Sequence, residues 1–131
     1  MKIRNAAMYD INEITAVESA CFPEAEAATR EEFEKRLAHY ADCFWLMTDD
    51  NGKIISFVDG MATDRRDLND EMYENAALHD PNGRWQMIFG VNTLPEYRRR
   101  GYAEALLRRV AIDAKNRGRS GLVLTCKERL I

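Results

Sequence analysis

Ala103, Leu106, Leu107, Val110, Ala111 and Ala114 recur three and four residues apart, which predicts a helix with one apolar face, and Gly118 is its natural stop. Two shorter helices show the same period nearer the N-terminus. Asp10 with Glu13 opens the first, whose buried stripe runs through Ile11, Ile14, Val17 or Glu18, and Cys21 before Pro23 ends it. Thr29 with Glu32 opens the second, with Phe33, Leu37 and Tyr40 on one face.

Other stretches lack that period. "KIRNAA" reads as an edge strand, and "CFWLMT" and "KIISFVDGM" as two strands joined by "DDNG", where Asn51 and Gly52 both tolerate positive φ. "WQMIFGV" and "GLVLTC" are continuous apolar runs, the pattern of strands buried on both faces, and Gly90 marks a bulge or a close backbone approach. The polar stretch "ATDRRDLNDEMYENAALHDPNG" predicts a long loop with one helix over 70–78. The order strand, turn, helix, strand in the second half predicts two parallel strands joined by a crossover. The pattern as a whole is α/β (α+β), a mixed central sheet flanked by helices in a single domain over residues 1–131.

The turn that opens the long helix, within "LPEYRRRGYAEALL", changes this picture. Arg98, Arg99 and Arg100 crowd positive charge where the helix dipole is already positive and where carboxylates are favoured. A helix N-terminus presents unpaired N–H groups, and Gly101 removes the side chain that would screen them. A diphosphate fits that combination of amides and forked guanidinium donors. The spacing is neither GxGxxG nor GxxxxGK[ST], which excludes both common nucleotide loops.

Charge is segregated in the same way. From Arg98 to Arg119 eight basic residues face only Glu104 and Asp113, so this segment carries +6 against a net charge of −3 for the whole chain. With a sequence pI near 5.5 and basic residues scattered around a helix, nucleic-acid binding is disfavoured. No run is long and apolar enough to span a membrane, and the N-terminus lacks the apolar centre of a secretory signal, so a cytoplasmic protein is expected. Cys21, Cys43 and Cys126 form no CxxC pair and only His39 and His79 accompany them, so no metal site is expected.

Arg98, Gly101 and Ala103 match [Q/R]-x-x-G-x-[G/A], which resembles the acyl-CoA-binding motif of the GNAT N-acetyltransferases. "AVESACFPEAEAATREEFEKRL" and "LTCKERL" resemble bacterial relatives of the arylalkylamine N-acetyltransferase branch. The resemblance implies acetyl-CoA as cosubstrate and no metal. It places the CoA diphosphate on the amides of Arg99, Arg100, Gly101, Tyr102, Ala103 and Glu104, with the Arg98 side chain nearby. It places the pantetheine arm along Val91, Asn92 and Thr93, in a gap where two strands splay. A peptide-like tether can take hydrogen bonds that a neighbouring strand would otherwise use, and an N–H near Gly90 or Val91 would polarise the thioester carbonyl.

Acetyl transfer to an amine needs a proton acceptor. The two histidines that the arylalkylamine branch carries correspond here to Met87 and Phe89, so the base must lie elsewhere. Glu24 and Glu26 are the first candidates and Asp59 the next. GNAT sheets continue past "LTC" with a helix that carries a tyrosine acid; this chain reaches Ile131 inside the entry to that helix, so the fold is expected to be truncated after its fifth strand. Tyr97 and Cys126 read as packing residues rather than substitutes for that acid. The bare edge of the last strand predicts self-association as a homodimer. Glu24, Glu26, Glu31, Glu32, Asp64, Asp67, Asp70 and Glu71 favour a cationic small-molecule or peptide amine, and Phe22, Trp45 and Trp85 are candidates for an aromatic pocket. The expected function is direct N-acetyl transfer from acetyl-CoA to a primary amine; the alternative is a CoA-binding or partner-binding relative with little catalysis.

Overall fold

The computed structural model describes residues 1–124, so Cys126 and the expected entry to a further helix lie outside the described residues. Strand β1 (Lys2–Asn5) leads to helices α1 (Ile11–Cys21) and α2 (Arg30–Tyr40), then to the hairpin β2 (Phe44–Thr48) and β3 (Ile54–Asp59). A short β4 (Ala62–Thr63) and α3 (Asp70–Glu74) precede β5 (Trp85–Ile88), β6 (Gly90–Thr93), the long α4 (Tyr102–Asn116) and β7 (Gly121–Leu124).

The central sheet is divided in two. One part runs β1-β2-β3-β6, all antiparallel, and the other runs β4-β5-β7, with β5 and β7 parallel. The parallel crossover through α4 is therefore present, but β7 pairs with β5 and not with β6. The expected continuous strand "WQMIFGV" breaks at Phe89, "KIISFVDGM" ends at Asp59, and β4 forms in the stretch expected as a loop, so five predicted strands become seven segments.

The two breaks face each other. Asp59 pairs with Gly90, and beyond Gly60 the chain changes partner, with Met87 N–H donating to Met61 O at 2.8 Å and Ala62 opposite Gln86. Only glycine fits at position 60, since a Cβ there would stand 1.8 Å from the Met87 carbonyl oxygen. The buried Gln86 amide holds the junction, donating to Gly60 O at 2.7 Å and to Met87 O at 2.9 Å.

Helices cover both faces of β2 and β3, whose residues are all buried. Neighbouring strand residues point to opposite faces: Phe44 meets Phe33 and Tyr40 of α2, whereas the Trp45 indole N–H reaches Asp113 of α4 at 2.8 Å. Ile14, Val17, Phe33, Leu37 and Tyr40 fill one layer and Leu106, Val110 and Ala114 lie buried on α4. Burying each of the larger apolar side chains stabilises by about 1.5 to 3 kcal/mol.

Local chemistry departs from expectation at four points. Thr29 and Glu32 form the expected capping box, but Asp10 caps nothing on α1: its carboxylate accepts from Ala7 N–H at 2.9 Å and pairs with Arg4. The helix expected over 70–78 divides at Asn75, whose side chain accepts from Ala77 N–H at 3.1 Å. Only Gly52 of the hairpin turn takes positive φ. The run "GLVLTC" is not buried on both faces: Gly121 to Val123 are half-buried and Leu124 is 54% exposed, because β7 ends its sheet.

The Gly60→Ala substitution is expected to lower unfolding free energy by about 3 kcal/mol or more, since the obstructing atom is backbone; urea denaturation checks this, and an unchanged midpoint would contradict the junction described above.

Candidate functional site

The site grows from the open edge that the division leaves. Among the described residues β6 pairs with β3 on one side only. Beyond it, Pro95 to Tyr97 make a single turn, Arg98 is extended, and Arg99 and Gly101 take left-handed backbone at φ 64° and 82°. Left-handed conformation at an arginine costs about 1 to 2 kcal/mol, the kind of strain that collects at functional sites. Gly101 is the N-cap of α4 and offers no side-chain cap, and the first amide to bond back is Ala105, donating to Gly101 O at 3.0 Å. The N–H groups of Tyr102, Ala103 and Glu104 are left to face outward.

A cleft of about 580 Å³ opens over this turn, walled by Val91 and Thr93 of β6, by Arg98, Arg99 and Gly101 to Glu104, by Tyr97, and by Cys21 and Phe22 at the end of α1. Two of the expected contact residues stand outside it. Asn92 is 1% exposed and turned toward α1, and the Arg100 guanidinium stacks over the Tyr97 ring at 5.4 Å. Arg98 folds back, its Nε donating to Thr93 O at 3.1 Å, and the Cys21 thiol donates to the same carbonyl at 3.3 Å. Burial first, offset in part by Arg98, pushes the Cys21 thiol up from its ordinary value, so it is a neutral wall residue.

A second cavity of about 370 Å³ lies on the α2 side and shares Phe22 with the first. Gly90 and Phe89 form its floor at the strand break, and Glu26, Glu32, Asp59, Asp70 and Glu74 surround it with Arg36 and Tyr73. Arg36 is the one basic side chain there and is already engaged: Nη1 donates to Asp59 Oδ2 at 3.2 Å, Nη2 donates to Tyr73 O at 3.1 Å, and the guanidinium lies 5.2 Å from the Phe89 ring centre.

Beneath the cavity the polar network continues. Glu18 of α1 is 9% exposed; it accepts from Asn92 Nδ2 at 2.7 Å and from Ala28 N–H at 2.8 Å, tying β6 to the loop after α1. Desolvation raises the Glu18 carboxyl above its ordinary value, with the Asp59 charge adding to it and the Ala28 and Asn92 hydrogen bonds opposing. Burial likewise raises Asp59, against the pull of Arg36.

Of the proposed bases, Glu24 is exposed and lines neither cavity, Glu26 sits on the rim of the second, and Asp59 is no surface carboxylate but 2% exposed at its floor. The aromatic-pocket expectation is corrected for two of three residues: Trp45 is core, and Trp85 packs against Gly121 and Arg66. Met87 is fully buried. Asp42, Cys43 and His79 bring potential metal ligands within 4.8 Å of one another. They do not fit a metal, because burial pushes the Cys43 thiol up to about 12 and His79 Nδ1 accepts from Ala62 N–H at 3.0 Å.

Sequence reasoning missed Glu18 and Arg36 as site residues. Their signal was a charge inside an apolar stripe: Arg36 falls at the helical spacing of Phe33, Leu37 and Tyr40, and Glu18 stands beside Val17.

Residues 8–129 match the model of the acetyltransferase (GNAT) family. The chain belongs to the GNAT acetyltransferases. Its fold is the GNAT acyl-CoA N-acyltransferase fold, as solved structures also show. The GNAT-like decarboxylase GphF, determined with isobutyryl-CoA, is 25% identical, with a TM-score of 0.85 over 98% of this chain and 68% of that one. The loading GNATL domain of CurA from Lyngbya majuscula is 20% identical, with a TM-score of 0.75 over 86% of this chain and 57% of that one. The ribosomal-protein-S18-alanine N-acetyltransferase from Escherichia coli is 17% identical, with a TM-score of 0.71 over 97% and 67%. The chain thus spans between somewhat over half and about two thirds of these proteins' lengths. No curated protein matches its sequence. Among the described residues no helix is long and apolar enough to cross a membrane.

The raised Glu18 carboxyl has a pH signature. A carboxyl whose folded value lies above the ordinary 4.5 favours the fold most when protonated, below 4.5. Wild-type stability relative to Glu18→Gln is therefore expected to fall as pH rises from 4.5 through the folded value and to level off above it; urea unfolding between pH 4 and 7 checks this, and a parallel pair of curves contradicts it.

Proposed function

We propose that this protein is an acetyl-CoA-dependent N-acetyltransferase acting by direct transfer on a small cationic amine. The observation that carries the reading is the pair of cavities that share Phe22 and lie along β6: a basic cleft over an uncapped helix N-terminus, reaching Val91 and Thr93, and an acidic cavity that reaches Phe89 and Gly90.

The amides of Tyr102 to Glu104, with Arg99 beside them, suit a diphosphate. The unpaired edge of β6 at Val91 and Thr93 suits the amide-bearing pantetheine arm. That alignment brings the thioester to Gly90, where a backbone N–H supplies a donor for the oxyanion. The amine arrives through the second cavity, whose five carboxylates outweigh the single Arg36 and favour a cation.

The likeness to a GNAT-like decarboxylase raises a second reading, an acyl-CoA whose acyl group carries a carboxylate. The cavity lining argues against it. Arg36 is neutralised by Asp59 at 3.2 Å, and a further anion among Glu26, Glu32, Asp70 and Glu74 would meet repulsion.

Thiol release from acetyl-CoA across a panel of primary mono- and diamines, run beside calorimetric titration, separates the readings. Amine-dependent thiol release is expected. Heat of binding without turnover supports a CoA-binding relative, and carbon dioxide release from malonyl-CoA supports decarboxylation; either outcome overturns the proposal. Gly101→Glu is expected to weaken acetyl-CoA binding at least 100-fold by setting a carboxylate against the diphosphate. Gly118→Glu, at φ 80° with equally open surroundings, carries the same backbone strain and is expected to leave binding within about twofold; equal losses in both variants would reject the placement.

A further inference from the structure

We infer that Asp59 accepts the proton of the attacking amine, with Arg36 and Glu18 setting its readiness and Asn92 helping to hold the nitrogen. The inference rests on the acyl-transfer reading and names the base that reading requires.

Position comes first. Asp59 is the last residue of β3 and the partner of Gly90, so it stands where the sheet divides and lines the second cavity together with Gly90 and Phe89. Its Oδ2 is taken by Arg36, while Oδ1 lies 4.0 Å from where a Cβ on Gly90 would be. The buried Asn92 Oδ1, which has no hydrogen-bond partner among the described residues, lies 3.7 Å from the same point. Two acceptor oxygens therefore flank the backbone position assigned to the thioester. An ammonium entering there finds one oxygen to take a proton and another to receive a remaining N–H.

The other titratable groups fit less well. His39 is exposed on α2, His79 spends Nδ1 on Ala62, and neither lines either cavity. Glu26, Asp70 and Glu74 are exposed and Glu32 is half-exposed, so water and the cation's approach occupy them. Asp59 is faced by Arg36, Glu32 and Tyr40 from α2, by Glu18 from α1 and by Tyr73 and Asp70 from α3. Burial raises the Asp59 carboxyl above its ordinary value and so makes its carboxylate more basic than an exposed one, Arg36 opposes that rise, and Asp59 and Glu18 repel each other when both are ionised.

The step balances. The ammonium gives one proton to the Asp59 carboxylate and gains a lone pair. Its nitrogen bonds to the thioester carbon, the carbon–sulfur bond breaks, and the second nitrogen proton leaves with the CoA thiolate as thiol. Asp59 then releases its proton to solvent through the acidic cavity.

The test is the pH dependence of kcat/KM. Asp59→Asn is expected to lower kcat/KM at pH 7 by about 10²- to 10³-fold and to leave acetyl-CoA affinity within about threefold. Its rate should then rise tenfold per pH unit as free amine forms. Because that change leaves Arg36 unpaired, Glu18→Gln is the second variant: losing the neighbouring negative charge should move the acid limb of the profile to lower pH. A wild-type profile retained in Asp59→Asn, or, should that variant fail to fold, an unmoved limb in Glu18→Gln, overturns the inference while leaving acetyl transfer intact. Wild-type protein that binds no acetyl-CoA or releases no thiol overturns both.

Discussion

The change of strand partner at Gly60 and Phe89 is the constraint from which the site follows. A hydrogen-bonded sheet tolerates such a break only if the freed carbonyls find donors. Here Gln86 supplies them, reaching Gly60 O and Met87 O from a fully buried position. The same break lets β7 follow β5 and, among the described residues, leaves β6 with one unpaired edge. An exposed edge is ordinarily a liability; in the proposed function it is the slot for an extended, amide-bearing ligand.

Electrostatics then divides the slot. The turn before α4 carries three arginines where the backbone already offers positive potential, so it selects an anion. The opposite cavity gathers five carboxylates around one committed arginine. In the proposed acetyl transfer, a cofactor with a phosphate end and an amine of opposite charge would be drawn to different cavities. The buried network of Glu18, Asn92, Asp59 and Arg36 ties β6 to α1 and β3 to α2. Breaking such a buried pair by removing one member costs about 3 to 5 kcal/mol, so the network is structural and chemical at once.

Periodicity and capping made much of this legible in the sequence. The spacing of Leu106, Val110 and Ala114 fixed α4, and Arg98, Gly101 and Ala103 marked the turn together with its family. The division of the sheet was not legible, because "WQMIFGV" carries uniform hydrophobicity across Phe89 and the reason for its break lies 29 residues earlier at Gly60. The proposed base was obscured for a related reason. Exposed Glu24 and Asp59 look alike in a sequence, and only the long-range partners Arg36 and Gly90 distinguish them. The direction of the Arg100 side chain was not legible either, because its guanidinium stacks on Tyr97.

Amide hydrogen exchange with and without CoA tests the central claim most directly, since it reads the proposed contacts at the backbone itself. The account predicts slowed exchange at Val91 and Thr93 and from Arg99 to Glu104, with β1 and β2 unchanged. Unaltered exchange along β6 and the turn under saturating CoA, or protection confined to other elements, would contradict it.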